Sequence, residues 1–270
     1  MKTIKILLFL LIGFSPILFV ACEKNPDDKT INIFSVQDDK TLGLQTKTEI
    51  FKDPVNFPIL DSIQYADAYT YLRGIVKSIL DADKVYYKDE FPWETYIIKD
   101  DNVLNAFCAP GGYIFVYTGL IKYLDSEDEL AGVLGHEIAH ADRRHTTDQL
   151  TKQYGVGVLL DVVFGRDNNA LKNIVSNLLS LKYSRTDETE ADRYSVIYLC
   201  PTQYRADGAA GFFKKLIDSG QGTGNFEFLS THPNPDNRVE NIEKEKSDRN
   251  CAGTDIFTER YNNFKNVLLP

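Results

Sequence analysis

The chain has 270 residues, 43% of them hydrophobic and 26% charged, which is the balance of a soluble globular protein with one large core or two small ones. Its formal net charge is −9, from 30 basic and 39 acidic side chains. That acidity argues against nucleic acid as the main partner and offers no strong electrostatic grip on anionic lipid.

Residues 1–21 read as a targeting segment rather than as part of the fold. Lys2 and Lys5 precede a run over residues 6–20 that is apolar except for Gly13, Ser15 and Pro16. The run is too short to span a bilayer comfortably. It ends Phe19-Val20-Ala21-Cys22, similar to a bacterial lipoprotein signal whose cleavage leaves an acylated Cys22. Phe19 departs from the leucine usual three places before that cysteine. Plain secretion and an uncleaved anchor are the alternatives, and all three export the domain. Residues 22–55, with their KNPDDK and QDDK runs, read as a polar tether and N-terminal segment passing into the first ordered part.

Apolar residues at Ile63, Ala66, Tyr69, Leu72, Val76, Ile79 and Leu80 predict a helix over residues 61–83. Residues 93–98 alternate roughly and predict a strand. Pro110-Gly111-Gly112 is a turn signal. Tyr113, Ile114, Phe115, Val116 and Tyr117 make the strongest strand in the chain. We expect it to be an exposed edge that holds an extended substrate by its backbone, with Gly112 to Val116 in contact. Further helices are expected over residues 171–181, 186–199 and 206–219, and from about 236 to just before Cys251. In an exported compartment Cys200 with Cys251 is the preferred disulfide, leaving Cys108 alone. Spacing does not decide connectivity, and the absence of any bridge is equally open.

The chemistry concentrates in residues 130–140, LAGVLGHEIAH. His136 and His140 are four apart, one helical turn on the same face, so both imidazoles can reach one ion. Glu137 enters the same cleft as a base. Two neutral nitrogen ligands beside a carboxylate are what a zinc hydrolase needs. Ser126 and Glu129 can form a capping box at the helix start.

A third ligand is required. His145 follows His140 by five residues, about 140° round a continuous helix, and so faces away. Among Glu188, Glu190 and Asp192, spacing favours Glu188 as ligand, with Asp192 on the same face to orient a histidine. Glu190, or a merely solvated acidic helix start, stays open.

Several motifs together resemble the zinc peptidases of family M48, close to their bacterial periplasmic and lipoprotein members. They are Asn105-Ala106-Phe107 with Pro110-Gly111-Gly112; Gly119-Leu120; His136-Glu137-x-x-His140 with Arg144-His145; Ser184-Arg185-x-x-Glu188-x-Glu190-Ala191-Asp192; and His232-Pro233 with Arg238. The resemblance covers roughly residues 66–243. It implies an α+β fold over residues 56–270: a mainly helical zincin-like domain with a small β-sheet whose edge strand borders the active-site cleft. It implies Zn²⁺ on His136, His140 and Glu188, and a histidine at His232 that either approaches the metal or stabilises the transition state. The long apolar segments of multi-spanning members, and the helical repeats that follow the peptidase in some relatives, are not expected.

The function expected is hydrolysis of polypeptide substrates, namely envelope proteins, misfolded ones among them. Glu137 would be the base, His232 the oxyanion donor, Asp192 the partner of a ligand histidine, and Arg185 and Arg238 carboxylate partners. His145 would be structural. The rivals are a latent or chaperone-like envelope factor that keeps its zinc, a hydrolase of another substrate, and a metal-free binding module.

Overall fold

The computed structural model describes residues 33–219, 227–233 and 237–270. The expected leader and Cys22 lie outside them. A three-stranded sheet has the order β1–β3–β2, where β1 is Thr95–Ile98, β2 is Ala106–Ala109 and β3 is Tyr113–Tyr117. β1 runs parallel to β3 and β2 antiparallel to it.

β3 is therefore the central strand and not the substrate-binding edge expected at Tyr113, Ile114, Phe115 and Val116. The reason lies in its composition. All five of its residues are buried, and an unbroken aromatic and β-branched run suits a strand covered on both faces and paired on both sides. The edge strands are β1, bridged at Ile98 by Ile59, and β2, hidden in the sequence because Ala106-Phe107-Cys108-Ala109 has weak strand preference and runs into a turn. Asn105 O accepts from Tyr117 N (3.1 Å), and Phe107 and Ala109 pair with Phe115 and Tyr113. The peptides of Ala106 and Cys108, in between, point away from β3.

Residues expected as the end of a tether form α1, Val36–Phe51. Ser35 and Asp38 make a reciprocal capping box at its start, and Leu42, Thr46, Ile50 and Asp39 are buried. Its apolar residues are few and widely spaced, so the helix reads as polar. Asp39 accepts from Arg144 Nε at 2.5 Å and from Thr147 Oγ1 at 2.8 Å. Polar residues thus anchor α1 to the domain.

α2 (Ala66–Asp81) and the short α3 (Thr118–Tyr123) precede α4 (Glu127–Asp142), the axis of the molecule. Every α4 residue except Glu129 is buried. The expected capping box is rearranged: Ser126 Oγ bonds Asp128, and Glu129 instead accepts from Asp125 N at 2.8 Å. α5 (His145–Tyr154), α6 (Val156–Val163) and α7 (Asn168–Asn177) close over α1 and one face of the sheet. α8 (Arg185–Leu199) and α9 (Gly208–Asp218) pack on α4. A Cβ on Gly132 would meet Ala209 N at 2.1 Å, so only glycine admits α9 at that distance. α10 (Glu227–Thr231), α11 (Arg238–Asp248) and α12 (Thr258–Asn263) follow, and a π-helical turn over Phe264–Leu268 runs on from α12.

Cys200 and Cys251 form a disulfide, and Cys108 is free and buried, as preferred from the sequence. Among the described residues no helix is long and apolar enough to cross a membrane.

Asp39→Ala leaves the Arg144 guanidinium, 6% exposed, without its carboxylate partner, holding only the carbonyls of Phe34 and Ser35. Breaking such a buried pair costs about 3–5 kcal/mol. Urea unfolding of the variant should show that loss; a change below about 1 kcal/mol, the scale of a surface pair, would return α1 to the status of a tether.

Candidate metal centre

α4 presents His136 and His140 one turn apart, and α8 lies across them. The glutamate on the inner face of α8 is Glu188; Arg185, which starts the helix, is exposed. His232 follows α10 directly. One ligand atom from each of His136, His140, Glu188 and His232 falls within 4.8 Å of the others. His136 Nε2 is 3.0 Å from His140 Nε2, 3.3 Å from His232 Nδ1 and 3.5 Å from Glu188 Oε2. His140 Nε2 is 3.4 Å and His232 Nδ1 2.9 Å from Glu188 Oε1. Each of the four side chains is 1% exposed or less.

This donor set fits zinc: imidazole nitrogens and one carboxylate converge from several sides in a closed cluster. Glu137 supports the fit. It is fully buried, and neither of its oxygens has a hydrogen-bond partner; His232 Nε2 stands 3.5 Å from one of them. A buried carboxylate left without donors signals a missing partner such as water or an ion. The four residues form a single Zn²⁺-binding site.

Surrounding groups fix this arrangement. Asp192 Oδ1 lies 2.9 Å from His136 Nδ1. Arg238 at the start of α11 reaches Glu188 Oε2 at 3.0 Å and Asp192 Oδ2 at 2.7 Å. Its guanidinium lies 3.6 Å from the Phe213 ring centroid. The sequence-predicted Asp192 and Arg238 are thus brought to the cluster.

Electrostatics follow. Burial pushes the Glu188 carboxyl up, but His232, His136 and Arg238 outweigh it and hold the group well below its ordinary value. Burial pushes Glu137 up, against the pull of His232 and His136. Burial pulls His136 down, yet the Glu188 and Asp192 carboxylates prevail and raise it to about 9. His140 is driven well below its ordinary value, by burial above all.

Sequence reasoning missed the residues that roof the cluster. The Tyr183 ring stacks on His140 with centroids 3.8 Å apart, and its backbone N donates to Thr231 O at 3.2 Å. Its hydroxyl lies 3.0 Å from Thr146 Oγ1, which donates to Cys108 O at 3.0 Å. The one signal in the sequence is position, since Tyr183 immediately precedes the Ser184-Arg185 motif.

Residues 67–246 match the model described as Peptidase family M48. The chain is 37% identical over 142 residues to "Mitochondrial metalloendopeptidase OMA1" of Arabidopsis thaliana, covering 52% of this chain and 29% of that protein. It is 34% identical over 167 residues to the protein of the same name in Saccharomyces cerevisiae, 58% and 48% of the two chains. To the "Putative beta-barrel assembly-enhancing protease" of Vibrio cholerae it is 30% identical over 162 residues, 55% and 33%. The match spans less than half the length of each of these relatives.

Zinc must displace the proton that the metal-free cluster keeps on His136 below about pH 9. Near neutral pH, zinc uptake should therefore release the His136 proton, and affinity should rise with pH up to about 9. Calorimetry in buffers of different ionisation enthalpy measures the release; uptake without proton release would contradict the charge assignment.

Proposed function

The chain belongs to peptidase family M48, and on that premise we propose that it is a zinc-dependent endopeptidase acting on polypeptides of the cell envelope. The observation that carries the reading is the orphaned, buried Glu137 carboxylate beside a His136–His140–Glu188 cluster. Zinc held there supplies Lewis acidity toward a water and a scissile carbonyl. Glu137 takes the proton of the attacking water and returns it to the leaving amine. Its raised pKa suits a group that must both accept and release a proton. Asp192 holds His136 in the ligating tautomer, and Arg238 balances Glu188 and Asp192.

Substrate binding falls to β2, since β3 is paired on both sides. Of its outward groups, Ala106 N is taken by Asn105 Oδ1 and Cys108 O by Thr146 Oγ1, so an extended chain pairs here, whatever its side chains, by replacing those two bonds. The envelope location rests on the lipoprotein-like signal ending at Cys22, and two kinds of named relative bear on it differently. The Vibrio cholerae protein is named for β-barrel assembly, whereas the OMA1 proteins are mitochondrial. We favour the bacterial envelope because of that signal.

One observation favours a second reading, latency. His232 stands in the ligand shell, where it fills the corner a water needs, and Tyr183 covers the cluster. We assign His232 in this arrangement to a closed, resting state of the peptidase rather than to oxyanion stabilisation.

Glu137→Gln should retain zinc and lose cleavage of an unfolded protein by at least about 100-fold, the lower scale of general-base catalysis. Chelator should abolish cleavage, and chelator-insensitive activity would refute the reading. His232→Ala should raise cleavage by uncovering the fourth corner, at some cost in zinc affinity. A fall in activity with zinc retained would restore the oxyanion role instead.

A further inference from the structure

The two ligand histidines of α4 turn their outer nitrogens onto different partners. His136 Nδ1 faces Asp192. His140 Nδ1 lies 3.1 Å from Nδ1 of His145, a residue that a continuous helix would carry to another face. The helix is not continuous. α4 ends at Asp142, Arg144 adopts a left-handed backbone (φ 61°, ψ 22°), and α5 begins at His145. The break turns His145 back onto His140. A non-glycine residue stays in that region only when its surroundings hold it there. Here Arg144 donates to Asp39 at 2.5 Å, to Phe34 O at 2.6 Å and to Ser35 O at 3.2 Å.

We propose that His145, backed by Glu190, is the positioning residue for His140, as Asp192 is for His136. The proposal rests on reading His140 as a zinc ligand. The hydrogens then run in one direction. His140 Nε2 faces the cluster and keeps its lone pair there, so Nδ1 carries the hydrogen and donates to His145 Nδ1. His145 in turn carries its hydrogen on Nε2, 3.4 Å from Glu190 Oε2. Glu190 Oε1 accepts from Arg143 Nε at 2.8 Å, and that guanidinium lies 4.5 Å from the Tyr194 ring centroid. His145 is 1% exposed, so no bulk water competes for its nitrogens. The second glutamate of Glu188-x-Glu190, open as a ligand from spacing alone, thereby acquires a function of its own, fixing the tautomer of the residue that fixes His140.

The test is zinc affinity of the purified protein, read by competition with a chromophoric chelator in the absence of substrate. His145→Asn keeps an acceptor oxygen where Nδ1 stands. His145→Gln carries its amide to the Nε2 position, within reach of Glu190 but not of His140. His145→Leu removes both. The Leu and Gln variants should lose about 10–100-fold in affinity, the usual effect of losing a ligand's hydrogen-bond partner, while Asn stays within roughly threefold of the parent. The absorption bands of the cobalt-substituted Gln and Leu forms should shift, and those of the Asn form should not. Melting of the metal-free proteins separates this from packing, since Asn and Gln should melt alike. Unchanged affinity in the Leu variant, or equal losses in Asn and Gln, would overturn the proposal. A protein that binds zinc in this His145-dependent way yet cleaves nothing, with His232→Ala equally inactive, would overturn the peptidase reading alone.

Discussion

Ligands from two helices can share one ion only if the helices approach closely and stay there. α4 carries both histidines and α8 the carboxylate, so the distance between them sets the cluster. A Cβ on Gly135 would stand 2.8 Å from Ser195 Oγ, and Ser195 Oγ donates to Gly132 O at 2.8 Å. The small residues of the zinc-binding helix, which cost it intrinsic helix propensity, thus admit α8 and let a hydroxyl bond across the gap. Zinc ligands tolerate errors of only about 0.2 Å. Any side chain that wedges these helices apart therefore acts on the metal before it acts on the core.

Burying so many charged groups in one place is the second constraint. Glu137, Glu188 and Asp192 converge within a shell that is almost closed to water, and an unpaired buried carboxylate is costly. Arg238 answers two of them at once, and its position depends on Asn237, whose left-handed backbone (φ 57°) starts α11. Glu137 alone is left without a donor. Under the peptidase reading, the group assigned to take a proton is the one the fold leaves without a donor, which is how a reactive base differs from a structural one.

Local spacing makes much of this readable. H-E-x-x-H and the Glu188–Asp192 pair are statements about one or two helical turns, where sequence distance and spatial distance agree. The family motifs then join helices that spacing cannot join. The departures have a common physical form. β3 reads as an edge because strand propensity measures fit to a pleated surface and says nothing about neighbours. α1 reads as a tether because only Leu42 and Ile50 give it a buried apolar face, and the ionic contact through Asp39 that completes its attachment has no local signal. His145 faces away only while helical geometry is extended across Arg144, whose left-handed turn depends on partners more than 100 residues earlier in the chain. Each departure lies where tertiary contact overrides a local rule.

A second set of distant contacts bears on how the site is closed. The free edge of β2 is capped at Cys108 O by Thr146, Thr146 is bonded to the Tyr183 hydroxyl, and the Tyr183 backbone is bonded to Thr231, one residue before His232. His232 itself occupies the ligand shell. The strand edge and the fourth corner of the metal site are therefore covered by one continuous set of residues. Tyr183 is held on one side by Thr231 and the His232 ring and on the other by Thr146, whose hydroxyl donates to Cys108 O. Under the peptidase reading, a substrate backbone that competes for Cys108 O works against the same contacts that keep water from the metal. Substrate pairing at Cys108 O and access to the cluster are thereby linked through Thr146, Tyr183 and Thr231, three residues that one set of hydrogen bonds ties together.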